Sequence, residues 1–336
     1  MIRQHVGALA QPELPPLAVR GRPAVHGRTL RGRHRLGDPL FHLGSLALAL
    51  LVPLSALLIG VALWMLAAPA RQAFGWAFLW TSIWDPVALH FGALPFIYGT
   101  LATSALALMI AVPLGLGAAI CLAELLPRRL ADTFTFLIEL LVAVPSVVYG
   151  LVGVFVLVPF VRDVGAPIAE HLGFIPLLAG PVYGIGLLTA GVLLAIMIVP
   201  FIVAVSREVL LAVPQSQRDA ALALGATRWE TIRQVVLPYA RSGVLGSVFL
   251  ALARALGETM AVTMVIGNRP EIATSLFAPA HTMAAVLANE FTEATGDLYL
   301  AALVDVALVL FGITLVANGG ARLLIAATKA PATARG

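Results

Sequence analysis

The chain has 336 residues, of which 60% are apolar and 11% charged. With a mean hydropathy of +0.97, it cannot be a soluble globular domain, where about 25% of residues carry charge. The net charge of +4 comes from arginines distributed by loop rather than clustered among aromatic residues, which argues against nucleic acid as a partner and for a membrane-topology signal.

In chain order, residues 1–42 are rich in Arg, Pro and Gly without periodicity, and are expected to form a disordered basic cytoplasmic tail. Leu43 to Leu66 is the first run long enough to cross a bilayer, and with its outer loop it fills residues 43–95. Ala68-Pro69-Ala70 behind it is like a signal-peptidase site. A 24-residue apolar run behind a 42-residue basic tail is too long on both counts for a secretory signal, so the span is expected to be retained.

Spanning runs follow at Phe96 to Leu122, Phe134 to Phe160, Tyr183 to Ser206, Gly243 to Gly267 and Leu298 to Asn318. The pattern predicts an all-α integral membrane protein with six transmembrane helices, five of them in a domain over residues 96–322, and a cytoplasmic tail over 323–336. Pro113, Pro145 and Pro200 fall inside predicted spans and are candidate kinks. The one cysteine, Cys121, permits no internal disulfide and reads as buried packing.

With the amino terminus inside, the cytoplasmic segments carry seventeen Arg and Lys residues. The opposite side carries three, Arg71, Arg162 and Arg269, and Arg254 lies within a span. This positive-inside bias places both termini and the loop over residues 213–238 in the cytoplasm. The outer loops carry Asp85, Asp163, Glu170, Glu271, Glu290, Glu293 and Asp297, which read as solvated loop residues.

That 26-residue loop, Val213 to Pro238, is polar and helix-patterned. Ser216 with Asp219, and Thr227 with Glu230, have the spacing of capping boxes, so two short helices are expected. Gly225 lies between them where a left-handed residue can reverse the chain, and Pro238 is expected to stop the second helix.

Arg254 and Glu258 stand four apart near the middle of the fifth predicted span, hence on one face of a continuous helix. Each ionised group at mid-bilayer costs about 3 kcal/mol on insertion scales, so both must face protein or water. Two readings coexist: an ion pair that satisfies itself, and a guanidinium offered to a passing oxyanion. Asp305 in the sixth span could pair with Arg254 or sit in a water-filled cavity. Thr259 and Thr263 are interhelical packing residues first and pathway hydroxyls second. Glu139 reads as structural, and His281 stands alone in an outer loop. No spacing suggests a metal site or a catalytic triad. The only lysine, Lys329, has no Gly-rich P-loop around it, so ATP is not expected to bind here.

Asp219-Ala220-Ala221, then Gly225, then Val235-x-Leu237-Pro238 is similar to the coupling loop of ABC importer permeases, with Asp219 and Val235 in place of the usual Glu and Ile. Arg254 to Asn268, Val144 to Leu151 and Ser275 to Phe291 resemble the phosphate-specific branch, in its C-type subunit. This resemblance implies a permease subunit translocating inorganic phosphate, with no cofactor in this chain. ATP and Mg would be bound by a homodimeric cytoplasmic ATPase. The other implied partners are a second homologous permease subunit and an extracytoplasmic phosphate-binding protein, all around the lipid bilayer. It also implies coupling to the ATPase through Asp219, Ala220, Ala221, Leu224, Gly225, Leu237 and Pro238, and it favours the intramembrane Arg254, with Glu258, Thr259 and Asp305, as candidate pathway residues.

A permease for molybdate or sulfate is the nearest rival. An ion-coupled secondary transporter shares the intramembrane charge but has no use for the capped loop. A lipid-modifying membrane enzyme would need more titratable groups at one depth than Arg254, Glu258 and Asp305 supply.

Overall fold

The computed structural model describes residues 37–328. The predicted basic tail falls mainly, and the end of the carboxy-terminal tail wholly, outside the described residues. The chain divides into two compact units, one over residues 1–54 and the other over residues 55–336. In the first, the described residues form the amino-terminal part of α1 (Gly37–Leu66), whose side chains from Phe41 to Leu54 are all exposed. An apolar helix exposed on every side is a helix for lipid.

The second unit continues with α2 (Ala68–Phe74) and a small antiparallel hairpin of β1 (Trp84–Asp85) and β2 (His90–Phe91). The bundle follows: α3 (Leu94–Ile120), α4 (Arg128–Val142), α5 (Ser146–Val152), α6 (Val158–Leu172) and α7 (Leu187–Leu211). After it come α8 (Gln215–Ala223), α9 (Arg228–Thr231), α10 (Leu237–Leu256), α11 (Met260–Ile266), α12 (Met283–Glu290) and α13 (Asp297–Thr328). Six helical stretches among the described residues are long and apolar enough to cross a membrane: Phe41–Leu66, Leu94–Leu125, Ser146–Leu172, Leu187–Leu211, Arg228–Leu256 and Asp297–Ala327.

The third span differs from its predicted position. Phe134 to Phe160 is not one helix. Val144-Pro145 interrupts it, because a residue before proline is pushed out of the α region. The chain therefore makes α4, which packs on α7 through Ile138, and starts the spanning stretch afresh at Ser146. Of the three candidate kinks, Pro113 and Pro200 lie within helices, whereas Pro145 caps one. Glu139 falls on exposed α4, outside the six stretches. Cys121 opens a π-helical turn and is partly buried.

The core runs along α3, α7, α10 and α11, with Ala107, Ile198, Ala251 and Val265 in one cluster. Small residues let the helices approach: a Cβ at Gly191 would meet Leu106, and one at Gly115 would meet Ile202. Ser206 and Ser247 close the α7–α10 contact with a buried 2.7 Å hydrogen bond.

A second cluster caps one end, where Trp84 meets Phe91, Phe96 and Tyr299 edge-on. Glu290 accepts hydrogen bonds there from Trp84 Nε1 at 2.8 Å and Tyr299 Oη at 2.6 Å. One acid that the sequence marks as solvated is thus a bracket between α12, α13 and the hairpin.

His281, which lies outside the six long helices, is buried against the edge of the Phe96 ring, with its backbone pressed on Gly99. Burial pushes its imidazole pKa down to about 4. In the unfolded chain it titrates near 6.5. Protonation between those values favours the unfolded chain, so the contribution is complete above pH 6.5 and is lost as pH falls toward 4. At pH 5 the loss is about 2 kcal/mol, at 1.36 kcal/mol per pKa unit. Melting of the detergent-purified protein should fall between about pH 7.5 and pH 5. The fall should be smaller in His281→Gln, and an equal fall in both would assign the effect to other groups.

Candidate functional site

The Val213–Pro238 segment folds as two helices around a tight turn. α8 ends in a Schellman motif, with Gly225 N–H donating to Leu222 O at 3.0 Å and Ala226 N–H to Ala221 O at 3.1 Å. Gly225 has φ +88°, the left-handed conformation the motif requires. Thr227 and Glu230 form a complete capping box at the start of α9, with Thr227 N–H donating to Glu230 Oε2 at 2.8 Å.

The other predicted box does not form. Pro214, at φ −58°, starts α8 at Gln215, so Ser216 already lies inside the helix and Asp219 accepts from Gln215 Nε2 at 3.0 Å. Nor does Pro238 stop the second helix. A π-helical turn, Ile232–Val236, immediately precedes it, and the chain runs from Arg228 to Leu256 as one helical stretch. The wide π turn absorbs the hydrogen bond and the clash by which a proline would break an α-helix. Leu237 and Pro238 are therefore the root of a span rather than the end of a loop.

Ala220, Ala221, Leu224 and Gly225 line one concavity of about 760 Å³ together with Glu230 and Val235. Leu224 is 90% exposed at its rim.

On the other side of α8 lies a polar cleft of about 790 Å³, lined by Glu124, Asp132, Arg128, Arg207, Arg218 and Arg228 among others. Inside it, Arg218 Nη2 donates to Glu124 Oε1 at 2.7 Å, and both side chains are 12% exposed. Sequence reasoning missed both residues. The available signal was a lone acid, Glu124, just before a basic pair, facing a loop of arginines.

Arg254 and Glu258 do not share a helix face. α10 ends at Leu256, Gly257 to Thr259 are non-helical, and α11 starts at Met260. Glu258 instead turns to α11, where its Oε1 accepts from Ala261 N–H at 3.3 Å. Thr259 Oγ1 donates to Gly257 O at 3.2 Å, and Thr263 Oγ1 back to Thr259 O at 2.8 Å. The glycine and the polar backbone groups at the break explain why an apolar run alone misreads it as one helix. Among the described residues no ion pair forms at Arg254, whose Nε is buried without a hydrogen-bond partner.

The stretches around this break converge. A Cβ at Gly150 would meet Met264 Sδ at 2.5 Å and Ala261, so α5 lies against α11. Ala280 N–H donates to Ile266 O at 3.1 Å, which ties the segment before α12 to the far end of α11.

Asp305 does not pair with Arg254. It is buried in α13, where it and Arg71 line a cavity of about 310 Å³. The Arg71 guanidinium stacks over the Trp64 ring, 3.6 Å from its centroid, and donates to the Trp64 carbonyl.

Residues 111–329 match the family model "Binding-protein-dependent transport system inner membrane component". The chain is 49% identical over 300 residues to the phosphate transport system permease protein PstC of Mesorhizobium japonicum, spanning 87% of this chain and 91% of that one. It is 48% identical to PstC of Pasteurella multocida, over 76% of this chain and 81% of that one. An inward-facing structure of the MetNI methionine ABC transporter aligns with a TM-score of 0.55 at 18% identity, covering 74% of this chain and all of that one, which speaks to the fold alone. With six spanning stretches among the described residues and this likeness over most of its length, the chain belongs to the binding-protein-dependent transport system inner membrane component family, among the PstC phosphate permeases.

Proposed function

We propose that this chain is the membrane permease subunit of an ATP-driven importer that passes inorganic phosphate across the cytoplasmic membrane. The observation that carries the reading is the 49% identity to a phosphate permease over 87% of this chain. The seventeen-to-three bias of basic residues supports a cytoplasmic position for α8 and α9. The concavity at Ala220, Ala221, Leu224 and Gly225, with Asp219 beside it, is a fitting seat for a cytoplasmic ATPase that holds ATP and Mg. Leu237 and Pro238 connect that seat directly to a span.

Arg254 supplies the anion chemistry. A phosphate ion sheds hydration on crossing, and a guanidinium with an unused donor replaces part of that shell. Glu258 and Thr259 hold the break that presents it. Asp305, buried on α13 beside a cavity that Arg71 also lines, is a further candidate along the pathway. A second homologous permease completes the passage, and an extracytoplasmic binding protein delivers the ion.

Inward movement against an inside-negative potential costs roughly 2.3 kcal/mol per charge per 100 mV, so uptake needs an energy source, which in this reading is ATP hydrolysed by the partner subunit. Membrane vesicles holding the chain with its second permease and ATPase, and supplied with the binding protein outside, should accumulate labelled phosphate only with ATP inside, with excess sulfate or molybdate competing poorly. Uptake driven by an ion gradient without ATP would overturn the reading.

A further inference from the structure

Of the five ion pairs among the described residues, only Arg218–Glu124 has both side chains 12% exposed; in every other at least one partner is more than half exposed. Exposed pairs contribute little, whereas a buried one fixes geometry, because breaking it strands a charge. Four of the five N–H donors of the Arg218 fork are used. Nη2 donates to Glu124 Oε1 at 2.7 Å and to Leu210 O at 2.8 Å, Nε donates to Glu124 Oε2 at 3.4 Å, and Nη1 donates to the Val213 carbonyl.

One side chain on α8 therefore holds two spans at once. Leu210 lies in the last turn of α7, and Glu124 in the π-helical turn Cys121–Leu125 that ends the α3 span. A π turn interrupts the α-helical hydrogen-bond ladder, so the end of a helix can swing there without melting the rest. A second π turn, Ile232–Val236, joins α9 to the α10 span.

We propose that Arg218 and Glu124 form the strut through which displacement of α8 is passed to the α3 and α7 spans, with the π turn at Cys121–Leu125 as its joint. The inference rests on the reading of α8 as the ATPase seat. It adds a positioning residue pair that lies away from that seat, since neither Arg218 nor Glu124 lines the concavity at Leu224. A planar guanidinium on a carboxylate resists both sliding and rotation, as a lysine would not.

The test uses Arg218→Met and Glu124→Gln in the full chain, expressed with its second permease and ATPase and assayed with the extracytoplasmic binding protein. Hydrogen exchange should accelerate in Arg218→Met both at Gln215–Ala223 and at Cys121–Leu125. ATP-driven phosphate uptake should fall on the order of tenfold, while the ATPase still co-purifies and hydrolyses ATP without transport. Glu124→Gln keeps the shape and one acceptor oxygen, so it is the variant to use if Arg218→Met does not accumulate, and it should show the same uncoupling in milder form. Unchanged exchange at Cys121–Leu125, or parental uptake in both variants, overturns the strut. Loss of the ATPase from the complex also overturns it, by making Arg218 part of the seat. A parental complex that takes up no phosphate with ATP would sink the transport reading instead, and exchange would still report whether the two elements are joined.

Discussion

Gly225→Val is expected to reduce ATP-driven phosphate uptake by on the order of tenfold, with the chain still present in the membrane at its usual level. Gly225 holds φ +88° in a Schellman turn, and the left-handed region costs an L-residue roughly 1–2 kcal/mol, most of all when it is β-branched. The cost is conformational only, since a Cβ there would meet nothing within 4 Å. No packing in the bundle is disturbed. The strain falls on the two hydrogen bonds that end α8 and on the position of Leu224, the residue the turn holds outward. Gly225→Asn serves as the control, because asparagine tolerates the left-handed region and should retain much of the uptake. Vesicle uptake beside an immunoblot of the membrane fraction reads both quantities. Parental uptake by the valine variant would remove α8 from the coupling path.

The sequence carried the span count, the loop and its reversal, because bilayer thickness and positive φ leave strong marks in composition and in single residues. Thr227 with Glu230 and Gly225 are such marks. What the pattern hid were the places where a helix continues or stops against local preference. Pro238 reads as a terminator, but the π turn before it lets the helix through. Gly257 reads as one small residue in an apolar run, yet the helix ends there and Glu258 turns to α11. In both cases the outcome lies in backbone hydrogen bonds that neighbouring helices make possible, which apolar periodicity does not record. The Arg218–Glu124 and Arg71–Asp305 placements were hidden for another reason. The residues that meet at the ion pair and at the shared cavity stand far apart in sequence, and nothing in the spacing of either points to the other.

The break at Gly257 changes what a substitution at Arg254 can reveal. Were Arg254 and Glu258 paired on one helix face, removing the cation would strand a carboxylate in the membrane, and lost transport could follow from lost folding. Glu258 is instead occupied with Ala261 N–H, and no carboxylate among the described residues forms an ion pair with Arg254. Single variants therefore separate the two effects. Arg254→Gln and Arg254→Met should both reach the membrane and assemble, yet lose phosphate uptake by one to two orders of magnitude, since a hydrogen bond to a charged group is worth about 1.5–3 kcal/mol. Arg254→Lys should recover part of the rate, because it returns the charge without the fork. Glu258→Gln keeps an acceptor for Ala261 N–H and should cost less than any of the Arg254 changes short of lysine. Initial rates of labelled phosphate uptake, normalised to assembled complex, decide the matter. Parental rates in both Arg254→Gln and Arg254→Met would make the guanidinium structural and move the anion path elsewhere. Equal losses in Glu258→Gln and Arg254→Gln would mean that the shape of the break, not the cation, is what the anion requires.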